Sequence, residues 1–134
     1  VKRFEWPVRV YWEDTDAGGI VYHSNYLAFM ERARSEWLRA LGIDQRVLQA
    51  TERLQFAVVD MTVAWKRAAR YDDLLVATAE VVERGGATLT FLQKVLRGDE
   101  TLVEATVRVA AVDADSMRPR RIPAAVARLL VDEE

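Results

Sequence analysis

The chain has no cysteine among its 134 residues, which excludes disulfides, thiolate nucleophiles and cysteine-containing metal sites. Its single histidine is too little for a zinc site built on two or three imidazoles, and its carboxylates lack the spacing of a calcium loop. No metal and no separate cofactor is expected. Neither sign of charge dominates, because 19 Lys and Arg face 21 Asp and Glu; nucleic acid is therefore not an expected partner, and any anion site must be local. No apolar run approaches the ~18 residues of a membrane span. The stretch from Val1 to Pro7 carries Lys2, Arg3 and Glu5 and has no apolar leader segment. A soluble, cytoplasmic protein without membrane insertion is the expectation.

A hydrophobic content of 51% is enough for a real core, and residues 1–134 are read as one domain without repeats. Val8, Val10 and Trp12 alternate with Arg9 and Tyr11, the period of a half-buried strand. Glu13 to Ser24 reads as a loop. From Asn25, an apolar stripe at Leu27, Met30, Ala33, Arg34, Trp37, Leu38 and Leu41 marks one long helix. Ser24 or Asn25 is placed to cap its start, and Gly42 to take the left-handed stop. A short helical turn follows over Asp44 to Gln49. Phe56–Trp65, Leu74–Val82, Ala87–Leu96 and Thr101–Val112 read as strands, with hairpin-like turns at Arg84-Gly85-Gly86 and Arg97-Gly98-Asp99. Pro123 to Val131 reads as a terminal helix. This is an α+β plan with an antiparallel sheet of about five strands. One helix covers only one face of such a sheet, so a homo-oligomer is expected.

The reactive side chains concentrate between Glu13 and Tyr26. This segment holds three carboxylates (Glu13, Asp14, Asp16), Gly18 and Gly19, and the only histidine, His23, followed by the start of the long helix. Unpaired N–H groups at a helix start favour developing negative charge. A carboxylate beside such donors is the layout of an acyl-transfer site. A serine triad is disfavoured, since neither Ser24, Ser35 nor Ser116 sits in a Gly-x-Ser-x-Gly elbow.

Tyr11 to Glu36, YWEDTDAGGIVYHSNYLAFMERARSE, resembles the signature of the 4-hydroxybenzoyl-CoA thioesterase family of hotdog proteins, most closely its Tol-Pal-associated, YbgC-type branch. Asp16, Ala17, Gly18, Gly19, Ile20, Val21, Tyr22, His23, Asn25 and Tyr26 carry the pattern. Ala69 to Asp73 and Pro119 to Pro123 are weaker similarities. The resemblance implies a curved antiparallel sheet wrapped around one long helix, and a homodimer or homotetramer with active sites between subunits. It implies hydrolysis of an acyl-CoA thioester, with coenzyme A entering only as part of the substrate. Under it Asp16 is the catalytic nucleophile or base, and the backbone N–H of His23 polarises the thioester carbonyl. Gly18 and Gly19 admit the substrate; Tyr22 and Asn25 serve packing and capping within the same substrate-contacting stretch. Cell-envelope or lipid-metabolism proteins are conceivable partners.

Each of these residues also has a plainer reading. Asp16 beside glycines is a common turn residue, and Asp14 and Glu13 read as loop-stabilising or solvated charges. Glu31 on the helix is a lesser catalytic candidate. The cluster Lys66, Arg67 and Arg70 matches the phosphates of CoA or merely guards a strand end, as does the cluster Arg118, Arg120 and Arg121. Trp6, Trp12, Trp37 and Trp65 read as core or interface. The rival functions are a hydratase or dehydratase on acyl thioesters and a non-enzymatic acyl-CoA or partner-binding module. The chain has neither a His-Phe-Pro nor an Asn-Pro-x-x-His arrangement to favour the former.

Overall fold

Phe4, Trp6, Val8 and Val10 turn toward the interior while Glu5, Pro7 and Arg9 face solvent, so the alternation predicted for the first strand extends upstream of Val8. The computed structural model describes residues 3–131; Val1, Lys2 and Asp132 to Glu134, part of the 1–134 expectation, lie outside the described residues. In chain order the elements are β1 (Phe4–Arg9), a 3-10 turn (Trp12–Asp14), α1 (Asn25–Ala40), α2 (Gln45–Glu52), β2 (Leu54–Trp65), β3 (Leu74–Arg84), β4 (Thr88–Arg97), β5 (Glu100–Asp113) and α3 (Ala124–Val131). The strands make one antiparallel sheet in the order β1-β3-β4-β5-β2.

The first strand differs from the expected Val8–Trp12. Pro7 is tolerated because β1 lies at the sheet edge, pairing only with β3, where a missing N–H need not break a ladder. Tyr11 and Trp12 leave the strand because the Asp14 carboxylate accepts the Tyr11 N–H at 2.8 Å and draws the chain into the 3-10 turn. Trp12 is accordingly 70% exposed and stacks on Tyr71 with ring centroids 3.6 Å apart. Trp65 is also half exposed, so of the four tryptophans read as core or interface only Trp37 is buried, with Trp6 packing at the margin.

The helix α1 buries Tyr26, Phe29, Met30, Ala33, Trp37 and Leu38 against the sheet. Its stripe is centred slightly differently from the prediction: Phe29 is wholly buried, whereas Leu27 and Leu41 are only partly so. Full burial of each large apolar side chain contributes roughly 1.5–3 kcal/mol. Gly42 takes the expected left-handed stop at φ 87°. Register shifts at Val58/Asp60 on β2 and Val81/Glu83 on β3 bend the sheet around the helix, as bulges do. The outer face opposite α1 mixes Thr90, Lys94, Glu104, Thr106 and Arg108 with Leu92 and Leu96. Exposed apolar residues include Val82 on β3 and Val58 and Val59 on β2, an edge strand paired only with β5. No helix among the described residues is long and apolar enough to cross a membrane.

The connection from β2 to β3 crosses the sheet end that holds the start of α1, and Arg97 clamps it. Arg97 donates to Asp73 Oδ2 at 2.8 Å, to the Ala68 carbonyl at 3.2 Å and to Glu100 Oε1 at 2.9 Å. Burial pushes the Asp73 carboxyl up, but the Arg70 N–H and the Arg97 guanidinium outweigh it and hold the group below its ordinary value. Glu100 is lowered by its hydrogen bond with Arg97. Carboxylates lowered on folding stabilise the native state above their unfolded pKa, and that stabilisation is lost as pH falls through the folded value. We therefore expect the wild-type Tm to fall more steeply than that of Arg97→Met on acidification below about pH 4, a modest difference measurable by thermal melts because these groups are partly exposed.

Candidate active site

Two loops meet over the N-terminus of α1. In the first, residues 11–24, the chain folds back on itself through hydrogen bonds from Asp16 N–H to the Ile20 carbonyl and from Tyr22 N–H to the Asp14 carbonyl, both 2.9 Å. Thr15 and Val21 form the bridge between them. In the second, residues 66–73, Ala69 accepts the Val21 N–H at 2.9 Å through its carbonyl. Its own N–H donates to the buried Tyr26 hydroxyl at 2.9 Å. Burial pushes that phenol up, and the Ala69 bond opposes the shift. Ile20 and Arg70 form a further bridge.

Asp14 holds the first loop to the helix. Its buried carboxylate takes the Tyr11 N–H at 2.8 Å and the Asn25 side-chain amide at 3.0 Å. The loop-stabilising reading of Asp14 is therefore the one the structure bears out. The expected side-chain caps are not made: Ser24 occupies the cap position without a side-chain hydrogen bond, and the Asn25 amide turns back to Asp14. The start of α1 has no side-chain cap, and backbone carbonyls of Tyr22 and Ser24 accept the Asn25 and Leu27 N–H groups.

Asp16 lies on the exposed turn of this loop. Its Oδ1 accepts the Gly18 N–H at 2.9 Å, which orients the carboxylate. A Cβ on Gly18 would stand 3.3 Å from that oxygen and press on the carboxylate, and Gly19, at φ 82°, holds a left-handed conformation that favours glycine. His23 lies at the helix start, and its backbone N–H donates to no described residue. Its carbonyl accepts Nε1–H of Trp65 at 3.2 Å. The imidazole packs between Tyr22, at 4.5 Å, and the edge of Trp65, at 5.8 Å. Tyr22 is exposed beside it.

A groove of about 280 Å³ brings His23 together with Tyr26, Trp65, Lys66 and Arg67. Lys66 and Arg67 are not free cations, because they pair with Glu104 at 3.1 Å and Glu100 at 2.9 Å. Arg70 is exposed, and its guanidinium makes no hydrogen bond to a described residue. Along the folded-back loop the Asp16 and His23 backbones stand three residue steps apart, or roughly 10 Å. Glu31 is occupied by the Ser35 hydroxyl. Arg120 of the second basic cluster donates to the Glu52 carbonyl. No group of three or more His, Asp or Glu side chains converges among the described residues as a metal site would need.

Sequence reasoning missed three parts of this site. These are the Asp14–Asn25 tie, the Tyr26–Ala69 bond and the Trp65 indole on the His23 carbonyl. Each joins residues at least eleven positions apart in the chain, beyond the reach of periodicity; the Asn-Tyr pair at positions 25 and 26 was the only local signal.

Residues 18–104 match the model of the thioesterase superfamily. The acyl-CoA thioesterase YbgC of Haemophilus influenzae is 48% identical over 120 residues, which cover 90% of this chain and 88% of that protein. A crystal structure of a probable thioesterase from Bartonella henselae superposes with a TM-score of 0.87 at 36% identity, covering 91% of this chain and all of that one. The 1,4-dihydroxy-2-naphthoyl-CoA thioesterase of Synechocystis shares the fold, with a TM-score of 0.89 at 16% identity over 98% of each chain. The sheet wrapped around one long helix is thus the hotdog fold that the resemblance implied. Removing the Asp14 carboxylate should loosen the loop that this fold carries at its active end. Asp14→Ala leaves the Tyr11 N–H and the Asn25 amide without their acceptor, and we expect a loss of about 1–3 kcal/mol in a urea titration.

Proposed function

Because this chain belongs to the thioesterase superfamily, we propose that it hydrolyses acyl-CoA thioesters to the free acid and CoA, with Asp16 as nucleophile or general base and the His23 N–H as oxyanion donor. The observation that carries this reading is an exposed carboxylate oriented by Gly18 together with an unspent N–H at the helix start. A thioester carbonyl seated against that N–H gains negative charge on oxygen as a nucleophile adds, and the helix start favours that charge.

With Asp16 as base, the carboxylate takes a proton from water as the water oxygen bonds to the carbonyl carbon. Collapse then breaks the C–S bond and the proton passes to the departing thiolate. With Asp16 as nucleophile, its oxygen bonds to the same carbon, the thiolate leaves and water cleaves the resulting anhydride. The rival hydratase reading needs an imidazole directed at substrate, whereas the His23 ring packs between Tyr22 and Trp65.

A homodimer or homotetramer with the site between subunits is part of this reading. The open edge of β2, with Val58 and Val59 exposed, supports the same assembly. Lys66, Arg67 and Arg70 meet the phosphates of CoA in this reading, Lys66 and Arg67 by exchanging their glutamate partners. Gly18 and Gly19 leave room for the substrate, and Tyr22 borders it.

Asp16→Asn keeps the shape and the Gly18 bond but removes both base and nucleophile. We expect thiol release from its best acyl-CoA to fall about 100-fold or more; activity within a few-fold of wild type would reject Asp16. Gly18→Ala crowds the same carboxylate, and should lower kcat by about tenfold while affecting KM less, as steady-state kinetics would reveal. The cysteine-free chain contributes no background to a thiol-reactive dye.

A further inference from the structure

Arg34 on α1 is a half-buried cation to which the reaction proposed above gives no role. Gln93 on β4 is fully buried, and its amide nitrogen donates to the carbonyls of Met30 at 3.0 Å and Thr78 at 2.9 Å. With both donors committed, Oε1 has a set direction, and it accepts Nη1 of Arg34 at 2.8 Å. A guanidinium has five N–H donors. This is the one hydrogen bond that Arg34 makes to a described residue. Glu31 acts on it through charge without hydrogen bonding to it, its carboxylate instead accepting the Ser35 hydroxyl.

The guanidinium borders a groove of about 170 Å³ between α1 and the sheet, lined by the apolar Leu38, Phe56, Leu89, Phe91 and Val109 and also by Glu31, Ser35 and Gln45. Arg34 is half-buried there, held by the fully buried Gln93 amide, and its remaining donors have no partner among the described residues. Resting on the thioesterase reading above, we propose that this groove takes the far end of the acyl group, and that Arg34 selects acyl chains carrying an oxygen acceptor there, a hydroxyl or a carboxylate.

Arg34 lies eleven residues beyond His23, roughly 16 Å along the helix axis, and helical side chains lean back toward the helix start. The acceptor therefore belongs at the tip of a medium-length chain rather than beside the thioester. An aliphatic wall discriminates weakly between chains, whereas a donor built to meet a substrate oxygen rejects the analogue that lacks it.

The test is thiol release from hexanoyl-, octanoyl- and decanoyl-CoA against their ω-hydroxy and ω-carboxy counterparts, using wild type, Arg34→Met and Arg34→Lys. We expect wild-type kcat/KM for an oxygenated member to exceed that of its plain match by about tenfold or more, and the Met variant to lose that ratio. Lysine retains a cation without the planar fork, and should keep only part of it. The ω-hydroxy and ω-carboxy arms tell the two acceptors apart. A wild type that favours the plain chain at every length overturns the role of Arg34 without any variant, so the test survives a Met variant that does not fold. An unchanged ratio in a folded Met variant overturns it too. Thiol release without discrimination sinks this inference alone; no release from any member sinks the thioesterase reading with it.

Discussion

One buried carboxylate organises the active end of this protein. Asp14 has no cationic hydrogen-bond partner among the described residues; two neutral donors, the Tyr11 N–H and the Asn25 amide, satisfy it. The first ends β1 and forces the 3-10 turn. The second draws the start of α1 against the loop and prevents Asn25 from capping its own helix. At the start of α1 the Asn25 and Leu27 N–H groups are taken by the Tyr22 and Ser24 carbonyls, and the His23 N–H just before them has no acceptor among the described residues. The same tie carries the turn on which Asp16 is displayed. A buried charge without acceptable donors would be costly, so the loop has little freedom to adopt another path.

The arrangement divides labour along α1. At its start, short-range polar ties hold two loops, and the second loop is locked from beneath by Tyr26 and from the side by Arg97. Farther along, apolar packing takes over, with the fully buried Gln93 tied to the half-buried Arg34 at its margin. The Asp16 carboxylate stands on a solvent-facing turn, and the His23 N–H stands at the helix start.

Much of the architecture was legible in the sequence because it rests on local rules. Runs rich in Val, Thr, Leu and Phe placed β2, β3, β4 and β5 within two residues of their observed ends, and three- and four-residue spacing placed α1 from Asn25. The family signature around Asp16 pointed to the loop that folds over the start of α1. The misreadings arose where a distant partner outweighed local preference. Pro7 looks like a strand breaker until β1 is known to be an edge strand. Trp12 continues the alternation of Val8 and Val10, yet Asp14 turns the backbone and Tyr71 takes the indole. Ser24 and Asn25 are good caps by type, and neither caps with its side chain.

By itself the sequence determined the α+β class, the one long helix, the run of hairpins and the family, since periodicity, turn glycines and a contiguous motif are properties of neighbouring residues. Only the tertiary structure decided that β2 lies beside β5 at the sheet edge, that the Trp65 indole meets the His23 carbonyl, that Lys66 and Arg67 already have carboxylate partners, and that Arg34 borders a groove between α1 and the sheet. These depend on which groups satisfy which across dozens of intervening residues. Such pairings are settled by burial and hydrogen-bond completion throughout the fold, and no local pattern encodes them.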